Sequence, residues 1–149
     1  MLLSHTDSPF EHTTLIVRAD HSHAELWLGM ALELTHLETV AQPELPAHDH
    51  SSGFMNPNHS STSTGEIHDD EGEREYLVQL EKSIIRHFSE QHPLSLWFVM
   101  DTELIRRVHK KLPAEIQSKI TLCLSHTLLK EEMSVVIART RAEGVKFVS

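Results

Sequence analysis

Cysteine is nearly missing from this chain of 149 residues: Cys123 stands alone. One thiol gives no disulfide framework and no Cys-based zinc site, and it suits a reducing compartment. Long apolar runs are missing too, and no stretch approaches the roughly 20 residues that a bilayer-spanning helix needs. The first ten residues lack a basic start followed by an apolar core, so they do not read as a signal peptide. Basic residues are few, 13 against 22 acidic, which leaves a net charge of −9 with histidine neutral. That balance works against nonspecific binding to nucleic acid or anionic membrane by the chain as a whole. No Gly-rich phosphate loop and no Gly-X-Ser-X-Gly elbow is present. The expectation is one cytoplasmic domain, residues 1–149, with no membrane partner and enough length for a sizeable core.

The most apolar segment is 94–100, Leu-Ser-Leu-Trp-Phe-Val-Met, with Pro93 before it and Asp101 after it. A short continuous apolar run between turn signals predicts a strand buried on both faces. Upstream, residues 1–12 read as a loose arm. Residues 13–19 are β-branched and apolar and predict a first strand. Alternation predicts a second over 24–28 and a third over 32–40, with a change of face near His36. Short links make these an antiparallel meander.

Residues 41–72 differ: Pro43, Pro46, Pro57, Gly53 and Gly65 stand among many Ser, Asn, Asp and His residues. They predict a long loop, either a surface connection or a working element. Phe54 and Met55 are its expected contact point for a partner. Beyond it, Leu77, Leu80, Ile84 and Phe88 at helical spacing predict a helix over 73–92. Glu66, Asp69, Asp70, Glu71, Glu73 and Glu75 suit the positive end of its dipole. A second helix is expected over 102–112, capped by Asp101 or Thr102 and stopped by Pro113. A fifth strand is expected from Ile120 to Leu124, and a last helix over 127–143. The order is β β β α β α β α, an α/β fold with a five-stranded mixed sheet.

A three-strand meander followed by alternating helices and strands is the order of ribonuclease H-like sheets. It is also that of the central domain of archaeal and eukaryotic peptide-chain release factors and of Pelota. The sequence resembles the bacterial host attachment proteins, members of that release-factor-like group. The resemblance rests on Leu15-Ile16-Val17-Arg18-Ala19-Asp20 leading to Ala24-Glu25-Leu26-Trp27, and on the acidic entry to the long helix. It continues through Leu94-Ser95-Leu96-Trp97-Phe98-Val99, Leu104-Ile105-Arg106-Arg107, Leu112-Pro113 and Ile116, on to Ile120. It implies a release-factor-like binding module with translation as its setting. Catalytic release factors carry Gly-Gly-Gln in the loop before the first long helix. Here that loop has no adjacent glycines and only Gln42, so peptidyl-tRNA hydrolysis is not implied.

Three constellations could carry chemistry. Asp20 after the first strand and Asp101 after the fourth, with Glu73, Glu75 or Glu81 from the helix, match the carboxylate placement of a two-metal ribonuclease H-like nuclease. Turn and cap chemistry already explains both aspartates and is the preferred reading. His48, Asp49, His50 and His59, with His68, His21 and His23, offer imidazole and carboxylate ligands for a divalent metal. Their spacing is that of an adventitious site, and no cofactor is otherwise expected. Arg106, Arg107, Lys110 and Lys111 form adjacent rows on one helix, either a solvated face or a phosphate-contacting surface. That patch lacks interleaved aromatics to stack bases. The expected function is a non-catalytic module contacting the ribosome, structured RNA or a protein, with a metal-dependent nuclease as the alternative.

Overall fold

Strand β1 (Phe10–Ala19) is the middle of a five-stranded mixed sheet. A computed structural model describes residues 2–3, 9–42 and 62–146, and for 62–70 the backbone alone. After β1 come β2 (His23–Ala31), β3 (Glu33–Ala41), α1 (Thr62–Gln91), β4 (Ser95–Val99) and α2 (Thr102–Lys111). The short α3 (Ala114–Gln117), β5 (Ile120–Leu124) and α4 (Met133–Glu143) complete the chain. The strand order is β3-β2-β1-β4-β5. The meander is antiparallel, and β1–β4 and β4–β5 are parallel. The expected α/β class and mixed sheet are therefore present.

Two apolar layers sandwich the sheet. Alternation along β1 sends Leu15, Val17 and Ala19 toward α1, α2 and α3, where they meet Leu80, Ile84, Leu104 and Ile116. Ile16 points the other way, toward Leu128, Met133, Val136 and Ile137 of the α4 side. All five residues of β4 are buried, because helices cover both its faces. Phe98 joins the first layer and Trp97 the second. Each such buried side chain contributes about 1.5–3 kcal/mol.

Several boundaries differ from those the sequence predicts, each for a physical reason. The arm expected over 1–12 ends sooner: Phe10 already belongs to β1, and Leu3 is buried, its N–H donating to Leu32 O. Gly29 and Met30, beyond the end expected for the second strand at 28, continue β2. The Phe10 ring lies across Gly29, where a Cβ would come within 2.5 Å of it. The change of face near His36 is a bulge. Leu26 pairs with Glu38 and Trp27 with His36, so Leu37 is the extra residue.

Residues 62–72, assigned to the loop, form the first turns of α1. They carry almost no apolar periodicity, but a helix nucleated by the packed residues beyond them propagates cheaply. The last helix begins at Met133 rather than at 127. Arg18 takes the carbonyls of Leu128 and Glu131 as acceptors, which holds 127–132 as a turn packed on the sheet. No helix among the described residues is long and apolar enough to cross a membrane.

Candidate functional site

Parallel pairing brings Asp20 and Asp101 to one edge of the sheet. Each lies two residues beyond the register pair Arg18–Val99, on strands about 4.8 Å apart. Both are absorbed by local structure. Asp20 Oδ1 accepts from the Ser22 and His23 backbone N–H groups at 2.8 and 2.7 Å, closing the β1–β2 turn. Burial pushes its pKa up, but these bonds outweigh that and hold it below the ordinary value. Asp101 Oδ1 caps α2 by accepting from Leu104 N–H at 2.8 Å.

The second oxygen of Asp101 meets a residue that the sequence offered only as a weak metal ligand. His21 Nε2 lies 2.8 Å from Asp101 Oδ2, and His21 Nδ1 lies 2.7 Å from Glu73 Oε2. Two carboxylates satisfy both ring nitrogens only when the imidazole is protonated. Burial pulls the His21 pKa down, but the hydrogen bonds and charges of Glu73 and Asp101 prevail and hold it above the usual histidine value. Arg107 donates to Glu73 Oε1 at 2.7 Å. Burial alone would raise the Glu73 pKa, and the Arg107 and His21 bonds keep it low instead. The Tyr76 hydroxyl donates to Asp20 O at 2.9 Å, closing the cluster from α1. Glu73, not Glu75 or Glu81, is the helix carboxylate that reaches this edge. Asp101, His21, Glu73 and Arg107 thus form one line of alternating charge across the β1–β2 turn, α1 and α2.

Arg18 escaped the sequence reading. It is 6% exposed. Its guanidinium donates to Glu25 Oε1 at 2.7 and 2.9 Å, and to the carbonyls of Leu128 and Glu131 at 3.0 and 2.7 Å. It also stacks 5.9 Å from the centre of the Trp27 ring. Its signal was there: a single arginine inside an apolar strand, at a position whose side chain points into the core.

The basic helix divides. Arg107 is tied to Glu73 and lies 3.7 Å from Glu103. Arg106, Lys110 and Lys111 are exposed and in no ion pair among the described residues. Beside the end of α2 runs a cleft of about 470 Å³ whose apolar wall includes Phe88, Pro93, Leu94 and Ile116. His92 and Lys119 also line it. The expected loop contact Phe54 and Met55, and the metal candidates His48, Asp49, His50 and His59, lie outside the described residues. Among the described residues no group of three or more His, Cys, Asp or Glu side chains is placed to hold a metal ion. No protein-family model matches the chain, and no curated protein matches it.

Proposed function

We propose that this protein is a non-catalytic binding module that grips structured RNA through the outer face of α2. The observation that carries the proposal is the exposure of Arg106, Lys110 and Lys111 with no ion-pair partner among the described residues, on a chain of net charge −9. Three exposed cations on two turns of helix offer a set of phosphate contacts. The ribosome as the RNA, and membership of the host attachment and release-factor-like group with its ribonuclease H-like fold, belong to the same proposal. Binding is favoured over nuclease chemistry by the commitments of Asp101 and Glu73. His21 and Arg107 supply the positive charge that these carboxylates would otherwise draw from metal ions.

The test is RNA binding at graded salt. Wild type should lose affinity with a slope of about −2 to −3 in log K against log salt, at ~0.7–0.9 per phosphate contact. The triple variant Arg106→Glu, Lys110→Glu, Lys111→Glu should abolish binding and keep the thermal midpoint. Arg107 is left intact, because its reversal would break the pair with Glu73. Wild type that shows no salt-dependent binding to ribosomes or RNA would overturn the proposal.

A further inference from the structure

We infer that the cleft at the end of α2 accepts an unpaired base, so that the nucleic acid held by the α2 face is single-stranded where it passes Pro93 and Leu94. The inference rests on the RNA reading above and names the class of RNA.

The cleft begins close to the last cation of α2 along the chain. Pro113 lines the cleft two residues beyond Lys111, a separation of at most ~7 Å along the chain. Lys119 lies in the cleft wall, and like Lys110 and Lys111 it is in no ion pair among the described residues. Among the described residues Glu115 is the one carboxylate in the lining. An apolar slot with Lys119 in its wall and Lys111 close by along the chain fits a ligand that carries flat apolar faces on a polyanionic backbone. Single-stranded nucleic acid is such a ligand: its phosphates take the lysines and its bases take the apolar wall. In a duplex the bases are already stacked on one another and do not enter.

The lining shows two departures from ordinary packing. Leu94 opens the most apolar run of the chain, yet it is 56% exposed at the cleft. His92 ends α1 with φ at +50°, the left-handed conformation that favours glycine. Its N–H still donates to Phe88 O at 3.0 Å, as in a helix-terminating turn. The cap could therefore be made by glycine at less strain. The position instead holds an exposed imidazole in the lining of the cleft, which Phe88 also lines.

Three probes separate the possibilities: a roughly 12-nucleotide single strand, its duplex, and the same single strand with abasic positions. With the wild-type chain, the single strand should bind about tenfold more tightly than either of the others, the order of one stacked base. Leu94→Glu should reduce single-strand affinity to the duplex level and leave duplex affinity unchanged. Leu94 is exposed, so folding should be spared, and the abasic probe needs no variant at all. Equal affinity for all three probes, still dependent on salt and on Lys110 and Lys111, would overturn the base-binding cleft and leave the RNA reading standing. No salt-dependent binding to any probe would overturn both. Self-association of the wild type that Leu94→Glu abolishes would assign the cleft to a second copy of this chain and overturn the inference.

Discussion

His21 Nε2 lies 2.8 Å from Asp101 Oδ2, and this contact ties the β1–β2 turn to the first turn of α2. The pKa of His21 is held above its usual value, so folding takes up a proton there. Its stabilisation is complete below the unfolded pKa of about 6.5 and is lost as pH rises through the higher folded value. The ring is 43% exposed, so solvent screening keeps the effect under about 1 kcal/mol. The thermal midpoint of wild type should fall by about 2–3 °C more than that of His21→Gln between neutral-acidic and alkaline buffer. Parallel midpoint curves for the two proteins would show that the bridge carries no linked proton.

Asp101 serves the helix cap with one oxygen and His21 with the other, and two substitutions separate these roles. Asp101→Asn keeps an acceptor for Leu104 N–H but removes the charge beside the imidazole. Asp101→Ala removes both. Each should lower the His21 pKa in an NMR titration. Only the alanine variant should lose the cap, at a cost of about 1 kcal/mol by denaturant unfolding.

Arg18→Met leaves Glu25 without its guanidinium and takes a charged donor from the carbonyls of Leu128 and Glu131, of which Leu128 O still accepts from Glu131 N–H. Loss of these charge-assisted bonds should cost about 3 kcal/mol in denaturant unfolding. Hydrogen exchange should locate the damage. Amides of 127–132 should lose protection first, because besides Arg18 that turn is held by the one backbone bond from Glu131 N–H to Leu128 O among the described residues. A uniform loss of protection over the sheet would contradict the clamp.

Gly29→Ala places a methyl within 2.5 Å of the Phe10 ring. Moving that ring disturbs its packing 5.4 Å from Trp97 and the Arg141 guanidinium 4.9 Å from its centre. Overpacking should cost about 1–3 kcal/mol. Phe10→Leu should be less than additive with Gly29→Ala in a double-mutant cycle, since the smaller side chain makes room for the methyl.

The sheet was legible because its strands announce themselves locally. The run through Leu96, Trp97 and Phe98 specifies a doubly buried strand, and the alternation around Leu26 specifies a half-buried one. Helix ends were less legible. Residues 62–72 are helical through continuity with packed turns, and 127–132 are not helical because Arg18, over a hundred positions away, takes their carbonyls. At the candidate site, sequence gave the residue types but not their pairings. Asp20 and Asp101 do reach one edge, while the central role of His21 depends on Glu73, 52 positions away, and could not be read from spacing. Arg106 and Arg107 look equivalent as neighbours, and only the position of Glu73 distinguishes them.

The position of β1 between β2 and β4 also sets an order of events during synthesis. Its antiparallel partner follows at once, but its parallel partner arrives late: Thr14 pairs with Ser95, 81 residues on. At ~5–20 residues per second a ribosome takes about 4–16 s to cover that distance, while a hairpin closes in microseconds. The nascent meander therefore spends seconds with Leu15, Ile16 and Val17 on an unpaired edge, a template for wrong partners. Newly made chain should depend on chaperone capacity during that interval far more than the finished fold does.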